Sequence, residues 1–440
     1  MTDEASINNQ HTDSPATWLG NYLPMWIGQA LSLVGSALVQ FALVWYVTKE
    51  TGSATVLATA TTAALVPNIV LGPFVGALVD RWDRKLVMIF ADLAVALATA
   101  VLAVLFAFGL IQLWHIYIIL FIRSMGGIFQ SPARTASISL MVPKDQLTRL
   151  GGINQALDGL ISIFSPALGA LLLELLPIQW VLAVDFITAV IAIGLLIFFV
   201  KVPKPRTIKE TELITPKTLL KDVREGFQYI FSWPGLFIII MTASVLNLFL
   251  APASNLLPLY VTQYFKKGAQ ELAWLQASMG IGAIVGGALL GFWGGFKRKI
   301  FTVMSGIIGI GIGMISLSMI PASNYFLSLF AAGLVGTTAS IANGSLGPLM
   351  QSKVPSEIQG RIFTVLSSLS LGMMPVGLFL SAPIVEHFNI QTAYLISGAA
   401  CLLIGLLSLM DKRVVTFDAQ LPGGQLAEES LESSPLNTAD

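Results

Sequence analysis

Four ionisable side chains interrupt long apolar segments of this chain: Asp92, Arg123, Asp158 and Asp185. Inside a bilayer a charged side chain costs at least about 2.5–3.5 kcal/mol on insertion scales, so each is by default a candidate for function. Removal from water favours the neutral, protonated form of a carboxyl group. Protonation also lowers the cost of enclosing that carboxyl away from water. We therefore expect proton binding and release at the three carboxyl groups.

Asp158 is the first candidate for a proton carrier, because it lies about two turns into the fifth apolar segment. Arg123 would hold Asp158 ionised until a proton or a substrate intervenes. The alternative is a static pair of Asp158 and Arg123 that only fixes helix packing. Asp185 and Asp92 are further candidates for proton coupling, and each is equally suited to a capping or pairing role.

The elements that must carry these residues are apolar helices. Charged residues make up 11% of the 440, and the mean hydropathy is +0.79. A soluble domain of this size needs far more polar surface. A helix that crosses a bilayer needs about 20 apolar residues. About twelve segments meet that length: 18–47, 54–79, 86–109, 113–141, 149–176, 179–200, 235–264, 272–294, 300–319, 324–350, 362–384 and 390–410. The predicted fold class is an all-α membrane protein.

The twelve segments form two six-helix pseudo-repeats. Val142-Pro143 and Val354-Pro355 lie 212 positions apart, and Gly76-Ala77-Leu78 and Gly287-Ala288-Leu289 lie 211 apart. Two independent pairs of motifs with nearly the same separation indicate that the second half is a duplicate of the first. The predicted organisation is an N-terminal tail, a first half, a linker with an amphipathic helix, a second half and a disordered tail: 1–17, 18–200, 201–234, 235–411 and 412–440.

The cations predict the orientation of the chain in the membrane. Of the 24 Lys and Arg residues, 20 fall on the side of the two termini and three on the other side. Positively charged residues remain preferentially in the cytoplasm. We therefore expect a multi-pass protein of the cell inner (plasma) membrane with both termini cytoplasmic.

The sequence argues against an enzyme, a cofactor or metal site, and a nucleic-acid partner. His11 lies in the tail, and His115 and His387 lie on the side away from the termini, so helices cannot assemble a metal or acid–base cluster from them. No phosphate-binding loop of the Gly-x-x-x-x-Gly-Lys-Ser/Thr type is present. Net charge is zero, and the cations are concentrated on one membrane face.

Five short motifs resemble those of one transporter family. The pattern G-x-L-x-D-R-x-x-R-K at 76–85 resembles the signature between helices 2 and 3, although Asp83 replaces the usual glycine. The pattern at 120–127 resembles the helix-4 motif with an arginine inside the membrane. Residues 165–169 resemble a weakened antiporter motif that lacks its first glycines. Residues 184–188 and 222–230 are similar to the macrolide-efflux branch.

Through these motifs residues 18–413 resemble the major facilitator superfamily, and within it the macrolide-efflux-like drug:proton antiporter branch. The resemblance implies twelve transmembrane helices in two halves that move against each other. It also implies a monomer whose partners are a small-molecule substrate, protons and the lipid bilayer.

The 76–85 motif predicts a contact between the two halves on the cytoplasmic side. Gly76 allows the second helix to approach a neighbour closely, and the Asp80 carboxylate is favoured at the N-terminus of another helix. The resemblance implies that this neighbour is the eleventh helix, which begins near Arg361. We expect a latch between Asp80 and Arg361 that breaks when the protein opens inward. The cations of the motif either belong to the latch or only retain the loop in the cytoplasm and contact lipid headgroups: Arg81, Arg84 and Lys85.

In this architecture helices 1, 4, 7 and 10 surround a central cavity, and each carries polar side chains at helical spacing. The predicted substrate cavity is lined by Trp26, Gln29, Ser36, Gln40, Gln130, Asn247, Asn255, Ser340 and Asn343. For any single Ser or Asn, hydrogen bonding between helices explains the residue equally well. The four polar stripes together favour a transport pathway.

These features predict a secondary active transporter. The expected activity is export of a small amphipathic or hydrophobic compound, such as a macrolide-like drug, by alternating access in exchange for protons. Two alternatives within transport are an exporter of an endogenous metabolite such as a siderophore, and a solute importer. A third, from another class, is a transport-inactive membrane sensor or scaffold.

Overall fold

The computed structural model describes residues 15–79, 82–202 and 227–419, and these residues are almost entirely helical. Within them twelve helices are long and apolar enough to cross a membrane, and there is no strand. The predicted fold class, an all-α membrane protein with twelve transmembrane helices, is confirmed. Four parts of the chain lie outside the described residues: 1–14, Asp80 with Arg81, 203–226 and 420–440. They contain most of the predicted N-terminal tail, most of the predicted linker and most of the predicted C-terminal tail.

The first half contains six helices, whose bounds agree with the predicted segments to within a few residues. They are α1 (Pro15–Thr51), α2 (Ala54–Val79), α3 (Arg84–Ala107), α4 (Leu113–Met141), α5 (Lys144–Leu175) and α6 (Ile178–Phe199). The start of α3 is fixed by Asp83, whose carboxylate accepts hydrogen bonds from the backbone N–H groups of Lys85 and Leu86 at 3.0 and 3.2 Å. Asp83 is therefore an N-cap, the position where a short acidic side chain stabilises a helix.

The second half contains six more long helices. They are α7 (Pro234–Asn255), α8 (Ala269–Trp293), α9 (Lys299–Met319), α10 (Tyr325–Lys353), α11 (Ser356–His387) and α12 (Ile390–Met410). A short helix (Leu257–Leu259) and a π-helical turn (Tyr260–Tyr264) extend α7. Pro252 and Pro258 lie near this irregular end, where each removes one backbone donor.

The two halves repeat one pattern of helix packing. In the first half α1 packs against α5 and α6, α2 against α4, and α3 against α4 and α6. The same neighbours recur six helices later: α7 with α11 and α12, α8 with α10, and α9 with α10 and α12. This repetition fits the duplication read from the sequence spacing. The most extensive packing between the two halves is that of α5 against α8 and of α2 against α11.

The outward surface of the helices is apolar. Phe198, Phe292 and Phe330 are all more than three-quarters exposed. Apolar patches of this extent are not found on soluble monomers, whereas hydrocarbon chains of a bilayer cover them without loss of hydrogen bonding.

Small residues let the helices of the second half approach one another closely. Gly282 and Gly286 of α8 face Gly333 and Thr337 of α10, and a Cβ atom built on Gly286 would lie 2.9 Å from Thr337 Cα. Contact through backbone atoms is the usual way that membrane helices gain packing energy, because lipid supplies no hydrophobic driving force between them.

The C-terminal tail, predicted to be disordered from residue 412, is ordered up to residue 419. Lys412–Val415 forms a short helix, and Val414 and Phe417 are fully buried. Phe417 stacks on Trp233 at 5.0 Å between ring centroids, and the Asp418 carboxylate accepts a hydrogen bond from Ile300 N at 3.1 Å. The prediction missed these residues because Val414, Val415 and Phe417 are too few apolar side chains to show helical periodicity.

Gly286→Ala should destabilise the protein by about 1–3 kcal/mol, because the added methyl group must push α8 and α10 apart. Gly291→Ala, on the same helix, is the matched control, because no atom lies within 4 Å of a Cβ built there. Thermal unfolding in detergent micelles measures both. Equal unfolding temperatures for the two variants would contradict the close α8–α10 contact.

Candidate functional site

An ion pair joins α4 to α6 in the first half. Arg123 Nη1 on α4 lies 2.5 Å from Asp185 Oδ2 on α6, and the two side chains are 8% and 1% exposed. The other Asp185 oxygen accepts a hydrogen bond from the Ser36 hydroxyl at 3.0 Å. Thr99 of α3 donates to Asp185 Oδ2 at 3.0 Å, and Arg123 Nη2 donates to the Ser36 carbonyl at 3.2 Å. Four helices therefore meet at one charge-compensated centre.

The predicted pairing of Arg123 with Asp158 was wrong, because Arg123 forms its ion pair with Asp185. The reason lies in the packing of α6 against α1 and α3. Gly35 lets α6 come close to α1, since a Cβ there would lie 3.0 Å from Asp185 Cα. This approach brings the Asp185 carboxylate to Ser36. Gly35 and Thr99 were not recognised from the sequence.

Asp92 lies in a second buried polar cluster, which contains no cation among the described residues. It is 4% exposed. Gln29 of α1 donates to Asp92 Oδ2 at 3.0 Å, and Gln130 of α4 donates both to Asp92 Oδ1 and to Gln29 Oε1. The amide groups satisfy the oxygens of Asp92 but leave a negative charge uncompensated when the carboxyl is ionised.

Both clusters border one cavity of about 340 Å³ within the first half. Asp92, Arg123 and Gln130 line it, together with Ser36 and Gln40 of α1. The sequence analysis identified all five of these residues. Ser32, Ser124 and Gly127 also line it.

Asp158 lines a neighbouring cavity of about 510 Å³, which shares Leu33, Ser36 and Gln40 with the first. We call the two together the α1 cavity, since α1 forms a wall of both. The Asp158 side chain is exposed, and it has no hydrogen-bond or ion-pair partner within the described part of the chain. Gln276 of α8 brings the second half into the lining. Gln276 was missed because a single glutamine in an apolar helix has no distinguishing spacing.

Trp26, predicted to line the cavity, connects α1 with α5. Its indole Nε1 donates to Asn154 Oδ1 at 2.8 Å, one turn of α5 before Asp158. A tryptophan with an apolar ring and one satisfied donor is suited to such a position at the edge of a polar region.

The polar residues predicted in the second half lie apart from the α1 cavity. Asn247 and Asn343 line a separate cavity of about 100 Å³. The side chains of Asn247 and Asn255 donate to carbonyls one turn earlier in their own helix, at 3.0 and 2.9 Å. Ser340 is half-buried beside Gly287 of α8.

A larger groove of about 850 Å³ between α3 and α4 is lined mostly by apolar side chains. Leu86, Phe90 and Phe121 line it, and they are 50%, 64% and 40% exposed on the lipid-facing surface. Its one charged lining residue, Asp83, caps α3. The α1 cavity, which contains the ionisable groups, is therefore the candidate functional site. Within the described residues, no group of three or more His, Cys, Asp or Glu side chains is placed to hold a metal ion.

The family model described as Major Facilitator Superfamily matches residues 25–374. The chain belongs to the major facilitator superfamily. It is 32% identical over 401 residues to Macrolide efflux protein A of Streptococcus pyogenes, an alignment that covers 91% of this chain and 98% of that one. It is 24% identical over 396 residues to Multidrug efflux pump Tap of Mycolicibacterium fortuitum, covering 87% and 94%.

The crystal structure of the nucleoside transporter NupG has the same fold as this facilitator. The TM-score is 0.68 at 15% identity, and the match covers 88% of this chain and 98% of NupG. The predicted family and the predicted facilitator fold are confirmed. The family and fold are those of multi-pass membrane transporters and not of enzymes.

The facilitator signature at 76–85 is described in part. Gly76 lies in α2 and Arg361 in α11, whereas Asp80 and Arg81 fall outside the described residues, so the latch stays a prediction. Arg84 Nη1 donates to the Ala136 carbonyl at 2.9 Å. Lys85 Nζ donates to the carbonyls of Ile197 and Val200 at 3.1 and 2.9 Å. Two of the cations thus bind the C-terminal ends of α4 and α6, where positive charge is favoured.

On the face opposite the termini, polar side chains join the two halves of the facilitator. The Glu386 carboxylate of α11 accepts from the Ser53 hydroxyl at 3.1 Å and from the Thr55 hydroxyl at 2.8 Å. Gln263 donates to the Gly52 carbonyl, and Gln270 contacts Glu174. We call this set the opposite-face closure. Sequence reasoning missed it, because polar residues at helix ends are expected in any membrane protein.

Arg123→Met should lower the free energy of unfolding by about 3–5 kcal/mol, because it leaves the Asp185 carboxylate buried without its cation. The double variant Arg123→Met/Asp185→Leu should regain most of that loss, since it removes both charges. Denaturant unfolding in detergent micelles measures the two. If the double variant loses as much free energy of unfolding as Arg123→Met and Asp185→Leu lose in sum, the ion pair is not the source of the effect.

Proposed function

We propose that this facilitator exports a small amphipathic or hydrophobic compound of the macrolide-like drug class across the plasma membrane, in exchange for protons and by alternating access. The observation that carries the proposal is the α1 cavity. It contains two carboxyl groups without a cation partner among the described residues, beside a third that is neutralised by Arg123. Two relatives named as a macrolide efflux protein and a multidrug efflux pump support the class of cargo.

Proton coupling is assigned first to Asp158 and next to Asp92. Both border a cavity, so water can deliver a proton to them, and neither is held ionised by a described cation. Protonation makes each carboxyl neutral and therefore cheaper to enclose when the cavity closes. Asp185 is third, because it is already paired with Arg123. Its protonation would release Arg123 from α6.

Alternating access requires that the opposite-face closure breaks once in every cycle. Hydrogen bonds between the halves lie at that face, with Gly52, Ser53, Thr55 and Glu174 on one side and Gln263, Gln270 and Glu386 on the other. With both termini cytoplasmic, as the cation distribution favours, this face is extracellular. The closed arrangement then loads cargo from the cytoplasm or the inner leaflet. The predicted Asp80–Arg361 latch would replace the closure after rocking.

Reconstituted vesicles with an imposed proton gradient test export directly. Wild-type protein should accumulate erythromycin, and Asp158→Asn should reduce accumulation to near the level of protein-free vesicles, because the carboxyl that takes up the proton is gone. Glu50→Gln is the matched control, since Glu50 is an exposed carboxylate at the far end of α1. Wild-type vesicles that accumulate nothing from a panel of macrolides and dyes would contradict the proposed cargo class. Full accumulation by Asp158→Asn would contradict its coupling role.

A covalent bridge across the opposite-face closure tests alternating access. Thr55→Cys/Glu386→Cys, made in a Cys401→Ser background to remove the chain's one cysteine, should stop transport when joined by a short cleavable crosslinker. Cleavage should restore it, because the two halves can separate again. Each single-cysteine variant treated with the same reagent is the control. Transport that continues at the wild-type rate through a fully crosslinked sample would exclude separation at this face.

A further inference from the structure

We propose that Tyr22, Arg134 and Asn154 form a binding site for an oxyanionic group, a carboxylate or a phosphate, in the part of the first half nearest the chain termini. The site is separate from the carboxyl groups assigned to proton coupling, and it does not depend on which compound is exported. Its basis is a buried hydroxyl, an amide and a guanidinium that lie together without an acceptor among the described residues.

Tyr22 of α1 has a buried hydroxyl without a hydrogen bond. The residue is 3% exposed, and its Oη atom has no hydrogen-bond partner within the described part of the chain. A buried tyrosine normally satisfies this group. Each exception in a native structure therefore needs a specific cause, such as a bound ion or a water molecule.

The Asn154 side chain of α5 lies beside the Tyr22 hydroxyl. Trp26 Nε1 donates to Asn154 Oδ1 at 2.8 Å. An indole N–H group is only a donor, so the atom of Asn154 that faces Trp26 is its oxygen. The amide nitrogen therefore keeps its two N–H groups for another acceptor, and no described residue supplies one.

Arg134 of α4 brings a positive charge close to these two groups. It lies one turn from Gln130 on the same helix face, and its charge acts on Tyr22. Gln130 donates to Gln29 of α1 at 2.9 Å, so this face of α4 is turned towards α1. Arg134 is half-buried and forms no hydrogen bond or ion pair with a described residue. A guanidinium binds carboxylate and phosphate groups through paired N–H donors.

The neighbouring carboxylates do not compensate this charge. Asp92 lies deeper in the helix bundle and accepts its hydrogen bonds from two glutamine amides. Asp158 lies one turn of α5 beyond Asn154 and lines the α1 cavity, whereas Arg134 does not line that cavity. The site formed by Tyr22, Arg134 and Asn154 therefore has a net positive charge and no acidic member.

The chemistry of the three groups selects an oxyanion. The Tyr22 hydroxyl, the Asn154 amide nitrogen and the Arg134 guanidinium can all donate hydrogen bonds. A water molecule would satisfy the hydroxyl but leave the guanidinium charge unpaired, whereas a carboxylate or a phosphate satisfies both. The donors come from α1, α4 and α5 of the first half, so movement between the halves would leave the site intact.

Equilibrium dialysis of the full-length protein in neutral detergent micelles, with radiolabelled inorganic phosphate in a constant chloride background, tests the site. Wild type should bind phosphate saturably, and acetate should displace it, because both present an oxyanionic group. Tyr22→Phe should weaken phosphate binding about tenfold, because a hydrogen bond to a charged group is lost. Arg134→Gln should abolish saturable binding. Arg298→Gln is the matched control, since Arg298 is an exposed arginine just before α9.

Thermal unfolding of the same samples separates a lost ligand from a folding defect. In an oxyanion-free buffer Tyr22→Phe should unfold at the wild-type temperature or above it, because the deleted hydroxyl makes no hydrogen bond to the described residues. Saturating phosphate should then raise the unfolding temperature of wild type more than that of Tyr22→Phe, because a ligand stabilises the state that binds it. Equal shifts in the two proteins would contradict the role of Tyr22.

Two lipids identify the source of the oxyanion. If phosphatidylglycerol added to the micelles displaces the phosphate and phosphatidylcholine does not, the site takes the phosphate of an anionic lipid headgroup. If neither lipid displaces it, the site takes a free oxyanion from solution. The proposal is overturned if wild type shows no saturable phosphate binding, or if Arg134→Gln and Arg298→Gln change that binding equally.

Discussion

The cost of a charge in a low-dielectric membrane interior governs the arrangement of the first half. Arg123 is tolerated there because Asp185 lies 2.5 Å away and because Ser36 and Thr99 satisfy the remaining polar atoms. Each of these groups comes from a different helix, so α1, α3, α4 and α6 are held in one register. The cavity lies beside this ion-paired centre, with α1 as their shared wall. Ser36 of α1 donates to Asp185, and Gln40 of α1 lines the cavity. Asp158 is exposed and has no ion-pair partner among the described residues, and Arg123 is already paired with Asp185.

The second half is built on a different principle. Its helices meet through glycine and other small residues, as at Gly286 and Thr337, and its middle contains little polar structure. Such an interface depends on shape and loses energy steeply when backbones separate. The first half therefore combines buried polar contacts with an open cavity, whereas the second half is a tightly packed body. The polar contacts between them are at helix ends, where water can replace each hydrogen bond that breaks.

The twelve helices could be predicted from the sequence, because an apolar segment of about twenty residues forms few structures other than a membrane-spanning helix. The duplication could be predicted because two pairs of motifs are separated by nearly the same number of residues. The sequence also identified every ionisable residue of the site. It did not identify the pairing, since both Asp158 and Asp185 lie inside predicted apolar helices, and the α1–α6 approach at Gly35 that brings Asp185 to Ser36 cannot be read from local sequence. Gln276 and the opposite-face closure were missed for a similar reason. Their significance arises from contacts between halves, and local sequence does not encode which residues meet across a large distance in the chain.

The distribution of ionisable groups between the halves has an electrical consequence. In the described helices of the second half, charged side chains lie near the ends and none lies in the middle, whereas the first half has Asp92, Arg123, Asp158 and Asp185. Membrane voltage does work only on charge that moves across the field. Arg123 and Asp185 form a neutral pair, and under the proposed exchange Asp158 and Asp92 carry no charge while they hold a proton. Among the described helices, voltage therefore acts on the first half through any carboxyl that crosses the field in its ionised form, and the middle of the second half contributes no charge to that movement.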